Sequence, residues 1–288
     1  MIPSGACKSV RKMTDEIIDL LQCPNCGGEL SRGLDCEGCG KKYSRTNEGI
    51  YDLVIEETGE DIERLDKKLV ELIKEEGLEE LQKREQKKRT KEMMQARQKW
   101  GVEIFELFKE IDGKVLEIAS GPGGTTNRLI RENVKPIITD INLDVLRIKN
   151  DKMLEGGLNE DYYMAACDAK NIPIKDNTLD YVVSVGGLTN IPNTSRVISE
   201  IYRVLKKGGN VLASPMFVEE GSKSAEKARE SGLEDGVIRE NLENTLSDFD
   251  FEGYDIRVVS SAEGVKDDLN VLQTEGELQY YSILTAEK

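Results

Sequence analysis

Histidine is missing altogether from the 288 residues. That absence removes Ser-His-Asp and Cys-His nucleophilic catalysis, histidine metal ligands and a histidine general base in one step. No stretch approaches the roughly 18 consecutive apolar residues of a membrane-spanning helix. Residues 1–22 lack the apolar core of a secretory signal, so a soluble, cytoplasmic protein without membrane partners is expected. Apolar residues are scarce, 38%, against roughly 45–50% in ordinary domains by a tally that includes Gly. Charged side chains make up 33%, against about 25% elsewhere, and so must cover solvated helices. Acidic groups dominate them, giving a net charge of −15. That balance disfavours broad, non-specific binding to nucleic acid, although a local basic patch can still dock on RNA.

Four of the six cysteines fall within Cys23–Cys39. Cys23-Pro-Asn-Cys26 and Cys36-Glu-Gly-Cys39 are two CxxC pairs separated by nine residues, each followed by a glycine, Gly27 and Gly40. Such pairs form knuckle turns that aim four thiolates at one tetrahedral ion; a redox CxxC is the alternative, and a cytosolic setting argues against two disulfides. With Cys23, Cys26, Cys36 and Cys39 all ligating, the site is closed, so a zinc ion there builds structure and does no chemistry. Cys7 and Cys167 stand apart, and Cys167 reads as an inert buried thiol.

The chain divides by composition into a leader (1–20), a cysteine-bearing module (21–55), a charged helical linker or cap (56–110) and an α/β domain (111–288). In the linker, Ile62, Leu65, Leu69 and Leu72 form one helix stripe, interrupted by Gly77. Gln82–Glu92 carries six basic against two acidic side chains, a possible RNA contact or simply a solvated helix face. Met93, Met94 and Trp100 read as core. Beyond Lys114, the strand-like runs VLEIA, PIITD, DYYMAAC, LDYVVSV and NVLASPMF alternate with helical patterns, which is the signature of a doubly wound α/β sheet. A helical insertion of two charged helices is expected at about 218–248, then a final strand pair near Tyr254–Ser260 and Leu278–Thr285. Asp176 and Asp180 read as turn and cap residues, and Lys206–Gly209 as a helix C-cap.

One constellation carries chemistry. Val115–Gly124 is a strand running into a glycine turn and then a helix from Thr125, where Gly121 and Gly123 let backbone pass close to a ligand. Asp140 closes the next strand, 19 residues after Gly121, where a carboxylate can accept ribose hydroxyls. Asp168 follows the third strand. A nicotinamide site uses a similar loop, but its third glycine position is Thr126 here.

Together with Pro173, Asp176, Asp180, Leu205, Gly208 and Gly209, these residues resemble class I S-adenosylmethionine-dependent methyltransferases of the small-molecule type over about Gly113–Phe217. The resemblance implies a Rossmann-like, seven-stranded methyltransferase sheet. It implies that Asp140, with Ile141, binds ribose; that Asp168 and Ala169 meet adenine; that Glu117, Ala119, Ser120, Gly121, Pro122 and Gly123 surround the methionine part; and that Ser184, Val185, Gly186 and Gly187 line the transfer site. Ser120 and Thr189-Asn190 depart from the family pattern. No Asn-Pro-Pro-Tyr follows Val185 and no Pro-Cys pair lies near the site, so DNA amino and cytosine-C5 methylation are not expected. Asp19–Val54 resembles the zinc-ribbon partners of tRNA and protein methyltransferases and the amino-terminal module of 23S rRNA guanine-N1 methyltransferases, with Cys39 where the latter have histidine. Lys91–Arg97 is similar to the linker of those rRNA enzymes. The expectation is therefore a methyltransferase using S-adenosylmethionine and a structural zinc, acting on a small molecule or protein. An RNA base is the alternative acceptor, and a catalytically silent zinc-bearing partner is the alternative of another class. Methyl transfer depends mainly on positioning, so no catalytic base is nominated.

Overall fold

The alternating runs beyond Lys114 assemble into a single sheet in the computed structural model. It describes residues 15–55, 60–158, 162–265 and 274–288, with side chains at all of these but 15–16 and 60–66. Residues 1–14, including Cys7, therefore lie outside the described residues, as do the side chains of Ile62 and Leu65. The strands are β1 (Ser44–Arg45), β2 (Tyr51–Asp52), β3 (Val115–Glu117), β4 (Ile137–Asp140), β5 (Tyr163–Ala166), β6 (Leu179–Val185), β7 (Leu205–Ser214), β8 (Met216–Val218), β9 (Gly253–Glu263) and β10 (Leu278–Glu287). Their order is β1-β2-β5-β4-β3-β6-β7-β10-β8, with β9 on the other side of β10. From β2 to β7 every pairing is parallel, and β10 runs antiparallel to its neighbours. The expected seven-stranded sheet is thus present, widened by β1 and β2 at one edge and by β8 at the other.

Two local readings change. NVLASPMF is not one strand: Pro215 has no N–H to give the ladder, so β10 pairs with β7 and β8 on either side of it. Lys206–Gly209 is not a helix cap but the opening of β7. The preceding helix ends at Val204, and Gly208 N–H and Gly209 carbonyl are taken by Lys288, where the β6–β7 register shifts. Strand pairing with the chain's last residues wins over helix termination.

The helices are α1 (Glu60–Glu76), α2 (Leu78–Lys88), α3 (Lys91–Leu107), α4 (Thr125–Arg131), α5 (Leu143–Glu155), α6 (Thr194–Val204), α7 (Lys223–Glu230), α8 (Glu234–Val237) and α9 (Arg239–Ser247). The insertion thus holds three helices rather than two. Among the described residues no helix is long and apolar enough to cross a membrane. Among the described side chains of α1, Val70 and Ile73 are buried, with Leu69 and Leu72 half-buried beside them.

α3 is a wall of the α/β fold. The Thr90 side chain caps it by accepting from Met93 N–H. Its inner face buries Met93, Ala96 and Ile104, while Met94 stays exposed. Trp100 Nε1 donates to the Ser282 carbonyl at 3.2 Å, and Lys99 Nζ to that of Val259 at 2.9 Å. Phe108, just beyond α3, is fully buried among Ile104, Val115, Leu129, Val183 and Ile283.

The cysteine module merges with the sheet. Tyr51 and Asp52 pair in parallel with Ala165 and Ala166, and Leu53 N–H continues the ladder to the Ala166 carbonyl. Ile17, Leu21, Leu30 and Leu53 share one apolar cluster with Leu116, Ile118, Ile174 and Ile201.

Phe108→Ala leaves a cavity where α3 meets the sheet. It should cost about 3–5 kcal/mol. Denaturant unfolding checks this, and a loss below about 1 kcal/mol would mean that α3 does not bear on the core.

Candidate active site

β3 leaves the sheet abruptly. Ala119 (φ 47) and Gly121 (φ 50) both adopt left-handed backbone, so the chain turns twice before α4 begins at Thr125. At Gly121 the turn favours the residue without a Cβ. Its N–H donates to Asp140 Oδ2 at 2.8 Å, and Asn142 N–H to Oδ1 at 3.1 Å. Asp140 is only 8% exposed, and burial pushes its carboxyl above the ordinary range, opposed by those two N–H groups and by Lys149. Two bonds leave an ionised carboxylate with spare lone pairs, so Asp140 can accept further hydroxyls.

Beneath the loop lie two charges. Glu117 and Lys149 are both buried and paired at 3.5 Å. The Thr126 hydroxyl donates to the other oxygen of Glu117. Lys149 Nζ also donates to the Ser120 and Gly121 carbonyls. Ser120 Oγ is buried without a hydrogen-bond partner. Pro122 is half-buried and Gly123 exposed on the loop's outer side.

On one flank, β5 delivers Asp168 beside Asp140, and Cys167 N–H donates to the Asp140 carbonyl at 2.9 Å. Asp168 accepts from Lys170 N–H at 2.9 Å and pairs with its ammonium at 3.2 Å. Ala169 and Ile141 are half-buried beside it. Cys167 is buried, and burial pushes its thiol up to about 12, so it stays protonated. On the other flank, Ser184 Oγ donates to the Ile118 carbonyl at 3.4 Å and Gly186 N–H to Ser214 Oγ at 2.9 Å. Val185 is half-buried between them, and the Asn190 amide donates to the Gly186 carbonyl. A Cβ at Gly121 or at Gly186 would meet nothing within 4 Å, so both backbones border open space. The glycine loop thus lies against the ends of both β4, through Asp140, and β6, through Gly187.

Gly187, expected beside the transfer site, lies against the glycine loop: a Cβ there would stand 2.5 Å from the Ala119 carbonyl oxygen. Two residues here escaped the sequence reading. Lys149 occupies the buried face of α5 with Val145, Leu146 and Met153, and a lysine within an apolar stripe was the available signal. Asn171 donates its amide to the Pro24 carbonyl, joining the Asp168 loop to the first cysteine knuckle. No local pattern announces that contact.

The four sulfurs of Cys23, Cys26, Cys36 and Cys39 lie within 4.8 Å of one another. Cys23–Cys39 is 3.7 Å and Cys26–Cys36 3.4 Å, far longer than a disulfide. A tetrahedron with Zn–S bonds of about 2.3 Å has sulfur–sulfur edges of about 3.8 Å, so the cluster has the dimensions of a metal site. The backbone hydrogen bond from Lys41 draws the Cys39 thiol down to about 6. The Tyr43 hydroxyl lies 3.2 Å from Cys23 Sγ. In the basic stretch Gln82–Glu92, at least three of the six basic side chains are held in ion pairs. Lys83 pairs with Glu80, Arg84 with Glu76, and Lys88 with Glu85.

The sequence model of the ubiE/COQ5 methyltransferase family matches residues 79–225, just over half of the chain. The chain belongs to that family. The match begins downstream of the cysteines, so the likeness of residues 19–54 to zinc-ribbon and rRNA-enzyme modules has no support from it. This family member is 34% identical over 102 residues to the ubiquinone/menaquinone biosynthesis C-methyltransferase UbiE of Pseudomonas paraeruginosa, covering 34% of this chain and 40% of that protein. The UbiE of Haemophilus ducreyi is 33% identical over 111 residues, covering 36% and 43%. The chain thus spans less than half the length of these relatives. Among solved structures, a methyltransferase-fold protein of Bacillus halodurans superposes with TM-score 0.51 at 19% identity, over 65% of this chain and 97% of that one. Geranyl diphosphate C-methyltransferase of Streptomyces coelicolor gives 0.51 at 14% identity, over 65% and 78%. At such identities the likeness is one of fold.

Gly187→Ala forces the β6 exit away from the glycine loop. Overpacking of this kind costs about 1–3 kcal/mol. Thermal unfolding of the variant should show the loss, and an unchanged melting temperature would mean the two segments part easily.

Proposed function

We propose that this family member is an S-adenosylmethionine-dependent methyltransferase whose acceptor is a small organic molecule, as the names of its UbiE relatives imply. The observation that carries the reading is the Asp140 carboxylate, closing β4 and held by Gly121 N–H at the foot of the glycine loop. The residues around the space suit the cofactor: open backbone at Gly121 and Gly186, an unpartnered Ser120 hydroxyl, and spare acceptor capacity on Asp140. Asp140 accepts the ribose hydroxyls, with Ile141 beside it. The Asp168–Ala169 turn faces the adenine. Ala119–Gly123 surrounds the methionyl group, with Glu117 beneath, and Ser184–Gly187 lines the acceptor side. When bound, S-adenosylmethionine supplies a methyl group already activated on a sulfonium. The chain's task is to hold the acceptor atom about 3–3.5 Å from that methyl, in line, and to exclude water. A chain without histidine can do this.

The four-cysteine cluster, on the same reading, holds one structural zinc. Its donors are four sulfurs at tetrahedral spacing, which leaves no open position for chemistry. The ion locks the first knuckle, which Asn171 joins to the Asp168 loop.

Calorimetry should show micromolar binding of S-adenosylmethionine and of its demethylated product. Asp140→Ala should weaken both by roughly 10–150-fold, the worth of a hydrogen bond to a charged group. Transfer of labelled methyl groups to a small-molecule extract should accompany binding. Unchanged affinity in the variant removes Asp140 from the site, and label appearing only in RNA would replace the acceptor class.

Metal analysis of protein purified without chelators should find one zinc per chain. Stripping it should lower the melting temperature and weaken cofactor binding, because the Asp168 loop loses its support. Less than half an equivalent of metal would count heavily against the zinc.

A further inference from the structure

The buried stripe of α5 contains Val145, Leu146 and Met153, and one lysine among them. Lys149 is 2% exposed. An ammonium so far from water is costly unless its protons find acceptors. Here they find the Ser120 carbonyl at 3.1 Å, the Gly121 carbonyl at 3.2 Å and the Glu117 carboxylate at 3.5 Å. Both carbonyls belong to the glycine loop, and the Gly121 N–H is the group that Asp140 holds. The loop is therefore gripped twice, its carbonyls by an ammonium and its N–H by a carboxylate.

We propose that Lys149 is a positioning residue for the cofactor: it turns the Ser120 and Gly121 carbonyls inward, so that Gly121 N–H reaches Asp140, and it supplies the positive charge beside that carboxylate. This deepens the S-adenosylmethionine reading and rests on it. A pair kept only for stability would need no contact with loop carbonyls, and buried pairs are in any case poor stabilisers compared with apolar packing.

The charge has a consequence for pH. Around Asp140 stand Lys149 from α5, Cys167 and Asp168 beyond β5, and, through Lys149, Glu117 of β3. Of these only Lys149 is positive, and the Lys170 ammonium is paired with Asp168. Burial already holds the Asp140 carboxyl above its ordinary range, and Lys149 opposes that rise. Without the ammonium, Asp140 keeps its proton to higher pH. Ribose hydroxyls donate best to the ionised carboxylate, so affinity falls as pH falls through the Asp140 midpoint, and the substitution moves that fall upward.

Lys149→Met alone leaves Glu117 uncompensated and can fail to fold, so the decisive comparison sets Glu117→Gln combined with Lys149→Met against Glu117→Gln alone, because Glu117 itself lies beneath the methionyl group. Calorimetry with S-adenosylmethionine and its demethylated product at about pH 6 and about pH 8 is paired with carbon-13 NMR titration of the Asp140 carboxyl in cofactor-free protein. The double variant should keep a melting temperature near that of the parent. Relative to Glu117→Gln alone, its affinity should fall about tenfold at the higher pH, as for loss of charge-assisted hydrogen bonds, and further at the lower, while the parent changes little. The Asp140 midpoint should move up. Affinity equal to that of Glu117→Gln alone at both pH values, or an Asp140 midpoint unmoved between the two variants, overturns the proposal. If the parent itself binds neither compound, the methyltransferase reading fails instead, and the titration of Asp140 still decides whether Lys149 acts on it.

Discussion

A carboxylate that is almost out of reach of water is the constraint around which this site is built. Asp140 closes a parallel strand, where the neighbouring strand ends leave backbone N–H groups free to serve it. Gly121, at a left-handed turn, supplies one of them. The same turn points the Ser120 and Gly121 carbonyls down towards Lys149. Geometry of the loop and charge of the site are thus one problem, solved by burying two carboxylates around one ammonium.

The cysteine module bears on the same region from outside. A parallel sheet ending at β5 would expose a row of unpaired backbone groups. β2 covers that edge, and the first knuckle reaches the loop after β5 through Gln22 N–H to the Pro173 carbonyl and Asn171 to the Pro24 carbonyl. A module that looks separate in composition therefore belongs, by its hydrogen bonds and its apolar cluster, to the wall beside the Asp168 loop.

Charge on the surface plays a quieter part. The Lys83–Glu80 and Arg84–Glu76 pairs of α2 join partly or wholly exposed side chains, and such pairs contribute little to stability. Glu76 and Glu80, outside Gln82–Glu92, offset part of its local excess of positive charge. The acidic balance of the whole chain works in the same direction.

Much of this was legible in the order of residues. Alternating apolar runs marked β3 to β7 and the final hairpin, because strand burial imposes its own pattern on any sequence. The glycine turn, Asp140 and the paired CxxC knuckles are local chemistry, readable because their partners lie within a few residues of a strand end or turn. What sequence alone could not decide depends on partners far along the chain. Lys206–Gly209 becomes strand because Lys288 pairs with it, and residues 91–107 become a wall of the fold because Ser282 and Val259 present carbonyls to Trp100 and Lys99. Lys149 acquires a role only when α5 packs beneath a loop 28 residues upstream of it. Local sequence determined the elements and the chemistry of their ends; tertiary packing decided which distant groups those ends would meet, since a buried charge or carbonyl can be satisfied only by what the fold brings to it.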